Sequence, residues 1–234
     1  MTKRKNMITA KQLVNLIRQQ QFTPTTFPLP YSNEEAESLL TEAVKAQITR
    51  RGGQMQKSSS LRNGIKEVAR WLTTMTKPSL FLCGIVGNGK TTMVKAIQNI
   101  YQFADIRDWK NEKVGVDLIT AKELCHAWKE DRKLYRIYLE QPILAVDDLG
   151  NEPKEILDYG NIGNPMIELF ERRYDKQLTT IITSNLTAKQ IREDYYDRVA
   201  DRFNEMMTIV PFTDQSYRGK IFVTLKQKSH EKTT

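Results

Sequence analysis

Cysteine is almost absent: Cys83 and Cys125 are the only two in 234 residues. No C-x-x-C pair occurs, so neither a disulfide framework nor a cysteine-held zinc site is indicated. Cys83 lies in an apolar run and is expected to be a buried core thiol; this cysteine usage fits a reducing cytoplasm. Long apolar runs are missing too. None approaches the roughly 20 residues that span a bilayer, which argues against a membrane partner. The basic opening MTKRKNMITA is followed by no apolar stretch with a small-residue cleavage site, so a secretory signal is not expected. There is no internal repeat. Hydrophobic content of 39% and charged content of 27% argue against long disorder.

What the chain has in excess is positive charge. Its 36 basic and 28 acidic residues give a net charge of +8, and the pI is near 9.4. Polyanionic partners are favoured, nucleic acid first among them. The alternative is a generally basic protein without such a partner. The length allows one α/β domain plus a small appendage.

The N-terminal third reads as helical. Ile8 to Gln20 is amphipathic, with Leu13, Leu16 and Ile17 on one face. Pro24, Pro28 and Pro30 then break any helix. Ser32 or Asn33, followed by Glu34 and Glu35, marks a helix start. That helix should run to about Arg50 with Leu39, Leu40, Val44 and Ile48 inward. The stretch RRGGQMQKSSS, residues 50–60, reads as a linker. From Leu61 another helix carries Ile65, Val68, Trp71 and Leu72 at helical spacing and ends at Lys77-Pro78. Strands then alternate with helices: Leu80–Cys83, Val114–Ile119, Ile143–Asp147, Thr179–Ser184, Met207–Phe212 and Ile221–Leu225. This alternation implies a parallel sheet covered by helices. Ligands on such sheets bind at the carboxyl ends of strands.

Gly84, Ile85, Val86, Gly87, Asn88, Gly89, Lys90 and Thr91 match G-x-x-x-x-G-K-[ST] in full, and Thr92 follows. Glycines let the backbone N–H groups curl around an anion, and the helix that follows adds its positive end. Lys90 is placed to reach the outer phosphates of a nucleoside triphosphate, and the Thr91 hydroxyl to ligate Mg²⁺. In ILAVDDLG, residues 143–150, a buried strand delivers two carboxylates to the same edge. Asp147 is assigned to the metal and Asp148 to the attacking water. In TTIITSNLT, residues 179–187, Asn185 follows a strand and suits the terminal phosphate and water, because Thr187 serves as the next helix cap. In YYDRVADRFNEMM, residues 195–207, Arg198 and Arg202 share one helical face above a stripe of Val199, Phe203 and Met206. Two readings stand for these arginines: transition-state donors to a neighbouring subunit, or surface partners of Asp197, Asp201 and Glu205.

Together GIVGNGKTT, ILAVDDLGNEP, ELFERRYDKQLTTIITSNLT, RVADRF and SYRGK resemble the DnaC/IstB-type AAA+ ATPases. These are helicase loaders and transposon helper ATPases. The resemblance covers about residues 60–220. It implies an α/β P-loop domain with a three-layer parallel sheet, a small helical N-terminal region and no sizeable C-terminal lid. The implied division is 1–55 as a partner-binding region and 56–234 as the ATPase domain. It also implies ATP and Mg²⁺, side-by-side assembly into an oligomer, a grip on single-stranded DNA and slow ATP hydrolysis stimulated by assembly or DNA. By the same resemblance, Asp147 and Asp148 are the Walker B pair and Asn185 the first sensor. Arg202 best matches the trans-acting finger, Arg198 is the runner-up, and Arg218 is a late sensor. A replicative helicase is the implied partner, a transposase the alternative.

HAWKEDRKLYRIYLEQ, residues 126–141, interleaves Trp128, Tyr135 and Tyr138 with Lys129, Arg132, Lys133 and Arg136. Base stacking with phosphate tracking is one reading; a core-facing amphipathic helix with a basic outer face is the other. Arg50, Arg51, Lys57, Arg62 and Lys66 form a second candidate basic patch. From outside the family, a small-molecule P-loop kinase would need a mobile arginine lid, which Arg192, Arg198 and Arg202 imitate. A nucleotide-gated binding module with negligible turnover is a third reading.

Overall fold

Ser32, Thr120 and Thr187 each begin a helix in the same way. The hydroxyl accepts from the backbone N–H three residues on, and Glu35, Glu123 or Gln190 returns a bond to the cap's own N–H. Such capping boxes satisfy N–H groups that a helix start leaves unpaired. The computed structural model describes residues 8–19, 26–56, 58–158 and 160–214. Pro24, Lys57, Arg218 and the expected strand Ile221–Leu225 lie outside them.

The helices are α1 (Ala10–Gln19), α2 (Asn33–Arg50), α3 (Ser59–Thr74), α4 (Lys90–Phe103), α5 (Ala121–Glu130), α6 (Arg132–Glu140), α7 (Pro165–Asp175) and α8 (Ala188–Met206). The strands are β1 (Ser79–Gly84), β2 (Asp117–Thr120), β3 (Ile143–Leu149), β4 (Ile156–Asp158), β5 (Asn161–Gly163), β6 (Thr179–Ser184) and β7 (Met207–Phe212). Five strands form one parallel sheet in the order β2-β3-β6-β1-β7, and β4 pairs with β5 in an antiparallel hairpin.

The apolar strands bury both faces, as a parallel sheet requires. Leu80, Leu82, Ala145 and Ile181 pack one way, against α2, α3 and α4. Phe81, Leu144, Val146 and Ile182 pack the other way, against α5, α6, α7 and α8. Three layers result, as expected. Helix α2 belongs to the first core through Ala36, Leu40 and Val44, so residues upstream of the 50–60 stretch are packed on the sheet domain.

Several local expectations change. Leu39 is exposed, and Gln47 takes a buried place on α2 beside Leu40 and Val44. The strand expected over Val114–Ile119 begins only at Asp117. Cys83 is half-buried and Cys125 fully buried. Helix α8 is broken at Tyr196, whose φ is 65° and ψ 160°. On α1, Leu13, Val14 and Leu16 face solvent. Among the described residues no helix is long and apolar enough to cross a membrane.

Candidate nucleotide site

Strand β1 ends in the glycine loop, and α4 begins where the loop stops. Gly84 has a φ of 139°, and a Cβ there would sit 2.1 Å from the Phe212 carbonyl oxygen. Any side chain would therefore push β7 off the loop. Gly89 caps α4 with a φ of 100°, a left-handed turn natural only to glycine. The loop is held from inside by Asn88, whose Nδ2 donates to Phe212 O at 2.6 Å.

Lys90 is buried at the first position of α4. Its ammonium donates to Gly84 O at 2.7 Å, Ile85 O at 2.9 Å, Asn88 Oδ1 at 3.2 Å and Asn185 Oδ1 at 2.9 Å. The last contact joins two residues that the sequence separates widely. Next to Lys90, the Thr91 hydroxyl donates to Asp147 Oδ1 at 3.0 Å. Asp147 is only 7% exposed. The same oxygen accepts from Thr183 Oγ1 at 2.6 Å.

Strand order explains the convergence. Strand β6 lies between β1 and β3, so Asn185, just past its end, stands between the loop and the acidic pair. The β3–β6 register shifts between Val146 and Leu149, and Asp148 takes a left-handed φ of 59°. This bulge turns Asp148 to the exposed side while Asp147 stays inward. The Asp148 N–H donates to Thr183 Oγ1 at 2.9 Å. Thr183 thus ties both aspartates, a role hidden in the sequence because it reads as one more β-branched strand residue. Ser184 fastens the same edge by donating to Leu149 O at 2.7 Å and accepting from Leu186 N at 3.0 Å. Glu152 was equally silent in the sequence. It is buried, accepts from Gly150 N at 2.8 Å and from the Tyr195 hydroxyl, and so links the acidic turn to α8. Burial first, then the Glu152 charge, pushes the Tyr195 hydroxyl well above its ordinary pKa. Beside the loop, burial raises the Cys83 thiol, and the nearby Lys90 charge partly opposes that rise.

Among the described residues no cluster of three or more His, Cys, Asp or Glu gathers as a metal site. A threonine hydroxyl beside a buried carboxylate nevertheless fits Mg²⁺, which takes one or two protein oxygens and fills its octahedron with phosphate and water.

No model of a known protein family matches the chain, and no curated protein matches it in sequence. Solved structures do match. The DnaC helicase loader superposes with a TM-score of 0.52 at 20% identity, over 68% of this chain and 93% of that one. DnaI superposes with a TM-score of 0.53 at 20% identity, over 77% and 98%. The chain shares the fold of these two proteins. The replication initiator DnaA bound to AMPPCP and single-stranded DNA superposes with a TM-score of 0.50 at 18% identity, over 74% of this chain and 53% of that one.

The arginines of α8 pair with carboxylates of α7 and α8. Arg202 is 12% exposed and stacks 4.6 Å from the Tyr174 ring centroid. Its Nη1 is fully buried, 3.4 Å from Glu171 Oε1 but off hydrogen-bond geometry. Its Nη2 is 3.7 Å from Asp175. Arg198, 72% exposed, is 3.2 Å from the same Glu171 carboxylate. Arg192 pairs with Asp197 and Asp201 on its own helix.

The 126–141 stretch breaks into α5 and α6 at Asp131, whose carboxylate accepts from Leu134 N at 2.9 Å. Its aromatics belong to the core, which removes the base-stacking reading. Trp128 is buried and donates to Glu168 at 2.8 Å. Tyr135 is buried and donates to Pro165 O at 2.6 Å, and Tyr138 packs partly buried against the same core. The basic residues stay outside: Arg132, Lys133 and Arg136 line a groove of about 710 Å³ along α6 with Ile137, Glu140 and Gln141.

Proposed function

We propose that the chain is an ATPase that binds ATP with Mg²⁺ and loads or remodels a replicative helicase on single-stranded DNA. The observation that carries the reading is the hydrogen-bonded set Lys90–Asn185 and Thr91–Asp147–Thr183 at one sheet edge. Bound Mg²⁺, held through Thr91 and Asp147, would neutralise phosphate charge. Lys90 exchanges its present acceptors for outer-phosphate oxygens. Asn185, already bonded to Lys90, orients the terminal phosphate and the water. Asp148 accepts a proton from that water as it attacks.

Assembly supplies the remaining charge. Arg198 and Arg202 both reach Glu171. The exposed member, Arg198, is the better placed to leave it for a neighbour's terminal phosphate, and Arg202 positions the shared carboxylate. The net charge of +8 and the basic α6 groove support a polyanionic partner, as does a neighbour of the same fold solved with both AMPPCP and single-stranded DNA. The uncovered apolar side of α1 suits a protein partner. A kinase lid is disfavoured because α8 is packed through Ile191, Tyr195, Val199 and Phe203.

Two measurements test this. Asp148→Asn should keep ATP affinity while hydrolysis falls about 100-fold; unchanged turnover removes Asp148 as the base. Single-stranded DNA should bind the wild-type chain more tightly with ATP than without it, and less tightly as salt rises. No binding at low salt counts against the loader reading. Separately, Arg198→Ala should lower ATPase at high protein concentration at least about tenfold and leave ATP affinity intact. Arg202→Ala should lower the melting temperature as well. If dilution to monomer left the Arg198→Ala deficit unchanged, the trans role would be lost.

A further inference from the structure

Arg51 caps the end of α2, in helical line with the buried Leu40, Val44 and Gln47 but itself exposed. The sequence grouped it with Arg50 in a surface patch. The fold separates the two, because Arg51 Nη1 donates to Thr92 Oγ1 at 3.3 Å. Thr92 lies in the first turn of α4, one residue past Thr91. Successive helical residues point about 100° apart. Thr91 faces Asp147 and β3, so Thr92 faces away from them, toward α2.

That split orients the phosphate chain. Asn185, Asp147 and Asp148 gather on the β3–β6 side, where the terminal phosphate and water belong. The nucleoside end must then leave on the Thr92 side, where Arg51 waits. A guanidinium carries five N–H donors, and Thr92 takes one. Among the described residues no carboxylate lies within ion-pair distance of Arg51, whereas Arg192, Arg198 and Arg202 all have one.

We infer that Arg51 is a nucleotide-binding residue whose guanidinium holds the phosphate nearest the ribose, beside Thr92. The inference rests on the ATP reading of the glycine loop. It also gives the N-terminal segment a direct contact with the nucleotide, so occupancy of the loop is felt at the end of α2 and in the Gly52 turn that follows it.

Calorimetric titration of ATP and ADP into the full chain tests this, with Arg51→Ala, Arg51→Lys, Arg50→Ala and Lys90→Ala alongside wild type. Arg51→Ala should weaken ATP and ADP alike, about tenfold, since both carry that phosphate. Arg51→Lys should recover part of the loss, Arg50→Ala should match wild type, and melting temperatures should stay level because Arg51 is exposed. Unchanged affinities in Arg51→Ala with a defective Lys90→Ala overturn this inference alone. Unchanged affinities in both overturn the glycine-loop reading with it. A loss confined to ATP overturns the placement at the first phosphate.

Discussion

Lys90→Ala should weaken ATP binding about 1000-fold, or about 4 kcal/mol. Each hydrogen bond to a charged group is worth about 1.5–3 kcal/mol, and Lys90 would make one to each outer phosphate. Burial strengthens them: Lys90 is 5% exposed, so little water competes. The same ammonium also holds Gly84 O, Ile85 O and Asn88 Oδ1. The substitution therefore also loosens the loop, and the melting temperature without nucleotide should fall by a few degrees. AMP separates the two effects, because it lacks the outer phosphates. A loss for ATP far exceeding that for AMP marks the missing charge, whereas equal losses would mean that loop collapse accounts for everything.

The glycine loop was legible because its pattern combines backbone freedom, a cation and a hydroxyl at fixed offsets. The acidic pair and Asn185 were legible because each ends a run of buried apolar residues, and parallel topology sends such ends to one edge. Thr183 was not, since nothing distinguishes a strand threonine that binds two aspartates from one that fills space. Arg51 was hidden for a similar reason: basic residues near a Gly-Gly turn look alike until α2 packs on α4. Interleaved aromatics and basic residues over 126–141 left base stacking and a core-facing amphipathic helix both open; the core-facing reading holds, in two helices because Asp131 ends one and caps the next. Trp128 and Tyr135 lie seven residues apart, about two helical turns, and both turn inward even though the helix breaks between them at Asp131. The spacing of Arg198 and Arg202 correctly placed them on one face of α8. Their partners Glu171 and Asp175 come from α7 and could not be read from α8 alone. The β4–β5 hairpin was missed because it is short and leaves Leu157 and Ile162 67% exposed, without the alternation that signals a half-buried strand.

Arg173→Ala should destabilise the fold by about 4 kcal/mol, near the upper end for one substitution. Arg173 is 1% exposed, yet its side-chain hydrogen bonds all go to residues outside its own helix. Nη1 donates to Tyr138 O at 3.2 Å, Leu139 O at 3.2 Å and Gln141 O at 2.9 Å, serving carbonyls at the end of α6, where Tyr138 O also accepts the Gln141 N–H. Nη2 donates to Thr179 O at 2.6 Å and Nε to Thr180 Oγ1 at 2.8 Å, fixing the start of β6. Burial pulls its pKa down to about 9, with the Glu140 charge opposing, so it remains a cation at neutral pH. Glu140 itself bonds Arg172 and Lys176, so Arg173 is held mainly by carbonyl dipoles. Alanine would strand those carbonyls at about 1–3 kcal/mol each if water failed to reach them. Arg173→Lys should recover less than half, because an ammonium cannot span five acceptors that a planar fork reaches together. Arg172→Ala is the contrast: that side chain is 50% exposed and joins only a surface ion pair, worth under about 1 kcal/mol. Urea midpoints at constant m-value give the comparison, and equal shifts for positions 172 and 173 would refute it. The other end of β6 carries Thr183, Ser184 and Asn185. Arg173 thus sets the origin of the strand that delivers the site's central residues, and saturating ATP should restore part of the lost stability by mass action.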